Sequence, residues 1–211
     1  MARMPFTSPP YSAVSESRAI NKGGFKMRKD FGKKTWFYPL PVLIVGSYDE
    51  NGKADAMNAA WGGIYDQDHV ILCLSANHKT TQNIKASGAF TVSFADLAHL
   101  VEADYVGLVS ANDVDDKLEK AGFHATRSLL VDAPVIEELP MTLECRLVKV
   151  NEDGKLIGEI INVSADESIL NGDGMIDTDK LKAISFDPVN NAYLKLGEKV
   201  GNAFQDGTKL K

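Results

Sequence analysis

Leu40-Pro-Val-Leu-Ile-Val-Gly-Ser-Tyr48, Asp49-Glu-Asn-Gly-Lys53 and Ala54-Asp-Ala-Met-Asn-Ala-Ala-Trp61 follow one another without a break. The first run has the composition of a strand, and the second contains Asn-Gly, the strongest short hairpin signal. The third reads as the returning strand. Its small residues (Ala54, Ala56, Ala59, Ala60, then Gly62 and Gly63) form strands poorly, which suggests that something approaches the backbone closely there.

Further along, Asp66-Gln-Asp68 is a turn, and Val70 to Leu74 is an apolar run fitting a strand buried on both faces. Thr80-Thr-Gln-Asn-Ile-Lys-Ala-Ser-Gly88 predicts a short helix with Thr80 at its N-cap and Gly88 just past its end. Ala89 to Phe94 is another strand. Leu97 to Tyr105 has helical spacing and stops at Gly107, and Asn112 or Asp113 caps a helix through Leu118 to Ala121. The stretch from Val131 to Pro140 reads as loop. Met141 to Val150 alternates apolar and polar residues, then Glu152-Asp-Gly-Lys155 and Leu156 to Val163 repeat the pattern of the first hairpin. Ala183 to Phe186 and Ala192 to Leu196 are two further short strands. Two hairpins, separate strands and short flanking helices predict a mainly antiparallel β-barrel; the long crossover helices of a doubly wound sheet are missing.

Residues 1–34 are rich in Pro, Ser, Gly and Lys without sustained periodicity and read as an arm. Lys22, Lys26, Arg28, Lys29, Lys33 and Lys34 make it locally basic, either as a solvated charge run or as a docking surface for an anionic substrate. The chain as a whole has 211 residues and a formal net charge of −6, which argues against broad nucleic-acid or acidic-membrane binding. No run approaches the length of a membrane span, and the N-terminus lacks the apolar segment of a secretory signal, so a cytoplasmic protein is expected. Cys73 and Cys145 lie far apart in apolar runs without ligand spacing; two buried thiols are expected and a zinc site is not.

The chemistry concentrates at His78-Lys79-Thr80-Thr81. Helix amides without acceptors, the helix dipole, a Lys and two hydroxyls suit a phosphomonoester, while Thr80 as a mere cap and Lys79 as a solvated cation is the plain alternative. Asn58-Ala-Ala-Trp61 ends a neighbouring strand, so both segments could face one pocket, though a Trp in an apolar barrel is more often core. Ser110 and Lys117 flank a helix and could meet an anionic substrate, or serve as a capping hydroxyl and a solvated Lys. The four histidines show no ligand spacing, no catalytic triad order stands out, and neither GxGxxG nor GxxxxGK[ST] occurs. Any chemistry here is therefore carried by a cofactor.

The chain resembles the flavin reductase-like proteins with an FMN-binding split barrel, in particular their flavoredoxin-type branch. The resemblance rests on Pro39-Leu-Pro-Val42, Asn58-Ala-Ala-Trp61, His78-Lys-Thr80 with Asn83-Ile84, Phe90-Thr-Val-Ser93, Asp104-Tyr-Val-Gly107 with Ser110, Asp116-Lys117, Leu143-Glu-Cys145, Gly158-Glu159 and Leu196-Gly-Glu198. These run in consistent order over residues 35–205, leaving 206–211 as a tail. The resemblance implies a Greek-key split barrel and a homodimer with FMN near the interface. It also implies that Asn58, Ala59, Ala60 and Trp61 contact the isoalloxazine, and that His78, Lys79, Thr80 and Thr81 hold the phosphate with Ser75 nearby. Ser93 and Phe94 would line the surroundings of the ring. Relatives that reduce flavin often carry Gly-Asp-His before the Gly-Glu strand; here Asn151-Glu-Asp-Gly-Lys155 has no His. The expected activity is an FMN-dependent oxidoreductase, with NAD(P)H or a redox protein as donor and free flavin, ferric iron or a redox protein as acceptor. The alternatives are an electron carrier with no nicotinamide site of its own, or a barrel that binds some other planar or phosphorylated ligand or only a protein partner.

Overall fold

In a computed structural model, residues 28–211 are described; the expected arm lies, up to residue 27, outside the described residues. Residues 35–211 form one compact unit. Its strands are β1 (Leu40–Pro41), β2 (Leu43–Tyr48), β3 (Ala54–Ala59), β4 (Gly62–Asp66), β5 (His69–Leu72), β6 (Ala89–Phe94), β7 (Ala125–Arg127), β8 (Pro134–Ile136), β9 (Met141–Val150), β10 (Leu156–Ala165), β11 (Ile184–Asp187) and β12 (Ala192–Lys195). Four short α-helices join them: α1 (Lys79–Ser87), α2 (Leu100–Leu108), α3 (Lys117–Ala121) and α4 (Thr178–Leu181).

Seven strands make one antiparallel sheet in the order β3-β2-β6-β9-β10-β5-β4. The sheet curls into the half-barrel of an antiparallel Greek-key split barrel. A second sheet, β1-β11-β12, and a β7-β8 pair complete the described strands. Both hairpins stand where the sequence places them: Tyr48 faces Ala54 across the first, and Val150 faces Leu156 across the second.

The run Val42-Leu-Ile-Val45 is apolar throughout because β2 is covered on both faces. Leu43 and Val45 point into a cluster with Val70, Leu72, Phe90, Leu143 and Leu156. Ile44 points the other way, into a cluster with Ala103 and Val106 of α2, Phe123 and Ile136. Burial on one strand face drives barrel closure, and burial on the other docks the helices.

Several expectations are corrected. The strand expected at Val70 to Leu74 ends at Leu72 and is covered on one face only: Val70 and Leu72 are buried, whereas His69 and Ile71 are partly exposed. The edge strand β4, missed because of its glycines and exposed Ile64 and Tyr65, pairs with it instead. The N-cap of α1 is His78, not Thr80, which is buried in the first turn. Helix α2 begins at Leu100 and runs through Gly107 rather than stopping there. Its start is set by Asp96, whose Oδ1 accepts from the His99 amide at 2.9 Å. Neither Asn112 nor Asp113 caps α3, which begins at Lys117 after Asp116, and Asn112 Nδ2 donates to the Asn77 carbonyl at 3.2 Å. The stretch expected as loop near Pro134 contributes β8.

The sheet packs closely at Gly158 in β10. A side chain there would overlap the ring of Phe90, which is fully buried and has no room to swing, and would lie 3.3 Å from the Arg146 carbonyl. Gly158→Ala is expected to lower stability by about 1–3 kcal/mol through overpacking, measured as a reduced midpoint in urea unfolding.

Candidate functional site

The returning strand β3 places three successive groups at one end of the half-barrel. Asp55 points inward and is 3% exposed. Met57 and Asn58 face a cleft, and Ala59-Ala60-Trp61 continue its wall as the strand leaves the sheet. Opposite them, the chain leaves β5 at Leu72, passes Cys73 and Leu74, and enters α1. The Cys73 amide donates to the Trp61 carbonyl at 2.8 Å, which ties the two walls together.

Between these elements lie two adjoining cavities. The first, of about 320 Å³, is lined by Asn58, Trp61, Leu74, Leu108, Phe186 and Tyr193, with Ala59, Ala60, Cys73 and His78 among the rest of its wall. The second, of about 240 Å³, is lined by Asp55, His78, Lys79, Thr80, Ser110 and Lys117. Met57, Asn58, His78, Gly107 and Leu108 line both, so the two are ends of one cleft. One end is apolar and aromatic; the other is cationic and rich in hydroxyls.

At the polar end a buried carboxylate organises the wall. Lys117 Nζ lies 3.2 Å from Asp55 Oδ1, with the two side chains 4% and 3% exposed. Thr80 Oγ1 donates to Asp55 Oδ2 at 2.5 Å. A hydroxyl has one proton, so that of Thr80 is spent, and what α1 offers an anion from this residue is its backbone amide. Lys117 keeps two N–H donors beyond the one given to Asp55. The solvated Lys allowed for in the sequence is thereby corrected: burial of its ammonium is made possible by Asp55. The first-turn amides of α1 have no intrahelical acceptor. His78 makes no side-chain cap, and no acidic residue stands in the first turn. A helix start of this kind attracts negative charge.

At the apolar end, Asn58 Nδ2 donates to the Ala103 carbonyl at 3.0 Å and to Tyr193 OH at 3.4 Å. Tyr193 OH donates to Asp104 Oδ1 at 2.6 Å. Burial, and then the Asp104 hydrogen bond, push the Tyr193 phenol up to about 12. Gly107 has a steric reason: a Cβ there would lie 2.9 Å from Asn58 Cβ.

Of the residues singled out in the sequence, Asn58, Ala59, Ala60, Trp61, His78, Lys79, Thr80, Ser110 and Lys117 line the cleft. Four do not. Ser75 is exposed in the turn before α1. Thr81 is fully buried, and its Oγ1 has no hydrogen-bond partner among the described residues. Ser93 is fully buried and shares a 2.8 Å hydrogen bond with Thr142, and Phe94 packs against the sheet core. The expectation of two buried thiols is half corrected. Cys145 is buried, and burial first, with Glu144 second, pushes its thiol up to about 12; Cys73 is exposed and lines the cleft because β5 ends one residue before it. Sequence reasoning missed Asp55, which precedes the Asn58 segment on β3, and Phe186 and Tyr193, which come from strands lacking any motif of their own. Asp104 stood in a matching segment without an assigned role. Among the described residues no group of His, Cys, Asp and Glu could hold a metal ion.

The antiparallel half-barrel carries a cleft that is aromatic at one end and cationic at the other. The chain belongs to the flavin reductase like domain family, which matches residues 35–184. It is similar to the flavoredoxin of Desulfovibrio vulgaris (Miyazaki F), at 36% identity and a TM-score of 0.83, over 86% of this chain and 100% of that one. A flavoredoxin from Methanosarcina acetivorans is 28% identical with a TM-score of 0.77, over 89% of this chain and 100% of that one. An uncharacterized protein of Archaeoglobus fulgidus is 29% identical over 65% of this chain and 78% of its own length.

Lys117→Met should leave the Asp55 carboxylate buried without its cation, at a cost of about 3–5 kcal/mol in urea unfolding. Pairing it with Asp55→Asn should restore most of that loss. A double variant no more stable than Lys117→Met would show that the two side chains act independently.

Proposed function

We propose that this chain is an FMN-dependent oxidoreductase, taking electrons at bound FMN from a donor and passing them to a second acceptor. The observation that carries this reading is the single cleft with two unlike ends, sharing Asn58, His78 and Gly107 in its wall. The similarity to two flavoredoxins supports it. FMN supplies the electron-transfer chemistry when bound; the residues supply binding and orientation. The amides of α1, Lys79, Lys117 and Ser110 hold the phosphate at the polar end. Thr80 acts through Asp55 by fixing the start of α1. Asn58 to Trp61 and Tyr193 hold the ring, with Trp61, 49% exposed, at the cleft mouth.

The donor is NAD(P)H or a redox protein, and the acceptor is free flavin, ferric iron or a redox protein. The second reading, an electron carrier reduced by another protein, is favoured by the hairpin at Asn151–Lys155. Leu156 pairs with Leu72, so this turn adjoins the cleft-lining Cys73, and it has no His of the kind the resemblance leads one to expect in flavin-reducing relatives. A homodimer with FMN near the interface and a cytoplasmic location belong to the same proposal. Among the described residues no helix is long and apolar enough to cross a membrane.

Purified protein reconstituted with FMN should show the visible flavin spectrum and bind FMN more tightly than riboflavin, which lacks the phosphate. Lys79→Ala should weaken FMN by about 1.5–3 kcal/mol, the worth of a hydrogen bond to a charged group, and leave riboflavin affinity unchanged. Equal affinity of the wild type for both flavins would remove the phosphate assignment. Steady-state oxidation of NADH and NADPH then separates the two readings: turnover supports the reductase, and silence with both supports the carrier.

A further inference from the structure

The Asp104 carboxylate lines the ring end of the cleft and accepts a hydrogen bond from Tyr193 at 2.6 Å. It has no ion-pair partner among the described residues. The directions of the bonds behind it are fixed by chemistry. The Ala103 carbonyl can only accept, so Asn58 presents Nδ2 to it. The Tyr193 proton goes to the carboxylate, so the phenol oxygen accepts from the same Nδ2. The raised phenol pKa keeps that proton on Tyr193 across the neutral range. Gly107 packs against Asn58 and holds the network in place from the α2 side. A negative charge is thus held at the aromatic end of the cleft, while the cations stand at the other end: Lys79 and Lys117 line only the polar cavity. Lys155, beside Cys73, is itself engaged by Asp153.

We propose that Asp104 sets the reduction potential of the bound flavin: held in the cleft wall by Tyr193, its charge disfavours the reduced ring and makes the loaded protein a stronger reductant. The inference rests on the FMN reading above and adds a role for Asp104, which that reading does not assign. Two-electron reduction takes two electrons from the donor and one proton from solvent, and leaves one negative charge on the ring. A partly buried carboxylate in the cleft wall repels that charge and leaves the neutral oxidised ring little affected. The consequence is directional: electrons leave the ring more readily than they would from the same cleft without that carboxylate.

The test is the midpoint potential of FMN-loaded protein by spectroelectrochemistry, together with the dissociation constants of oxidised and dithionite-reduced FMN. Asp104→Asn, which keeps the shape, is expected to favour reduced over oxidised FMN by about tenfold, equal to about 30 mV for a two-electron couple. Asp104→Glu, which keeps the charge, is expected to retain the wild-type potential. Tyr193→Phe removes one of the two hydrogen bonds of Asn58 but leaves the charge, so it should weaken both oxidation states in parallel. An unchanged potential in Asp104→Asn overturns the inference and leaves FMN binding intact. A shift as large in Asp104→Glu also overturns it, because geometry rather than charge would then be responsible. A wild-type protein that binds no FMN overturns the reading beneath it and the inference together.

Discussion

A carboxylate with almost no access to water, shared between an ammonium and a hydroxyl, holds the cleft in shape. Asp55 sits on β3, Thr80 in the first turn of α1 and Lys117 at the start of α3. Three elements distant in sequence therefore meet at one side chain. Isolated buried charges are costly, so this arrangement is stable only when all three are in place. The position of α1, and with it the direction in which its unpaired amides face, is a consequence of that requirement. Asn83, one turn further along, adds a second buried tie by donating to Ser47 of β2 at 3.2 Å.

The half-barrel supplies the frame on which this tie acts. β2 is apolar on both faces because it serves two cores, one inside the curl of the sheet and one under α2 and α3. Strand β3, its neighbour, has small residues where the cleft runs, so its backbone and Asn58 stand at the cleft wall without bulky side chains intervening. Helix α2 closes the other side, and Gly107 allows it to approach Asn58. The cleft is thus the gap left between a sheet edge and the helices covering that sheet. Its two ends differ because one is reached by side chains of α1 and α3 and the other by β11 and β12, through Phe186 and Tyr193.

Much of this was legible in the residues. The hairpins around Asn51-Gly52 and Asp153-Gly154 carry their signal locally, since turn chemistry and alternation act over a few residues. The polar and apolar ends of the cleft also followed from local clusters, His78 to Thr80 and Asn58 to Trp61. What escaped depends on contacts between distant segments. Lys117 reads as a solvated cation until Asp55, 62 positions away, is placed beside it. Asp104 and Tyr193 are separated by 89 positions and form a pair only once β12 lies near α2. Ser93, chosen by likeness, lies two strands away from Asn58 across the sheet, where Thr142 takes up its hydroxyl. Edge strand β4 escaped because its pairing with β5 compensates for glycines that local propensity counts against it.

The start of α1 carries a thermodynamic implication. Its cap residue, His78, gives the first amides no side-chain acceptor, and the first turn holds no acid to offset the dipole. A helix end built this way is incomplete on its own and becomes satisfied when an anion docks against it. Whatever binds there binds the folded chain and not the unfolded one, so occupancy and folding are linked by mass action. An anion held at this helix would make the melting temperature a function of how much ligand surrounds the protein, and the fold would gain at the same place that holds the charge.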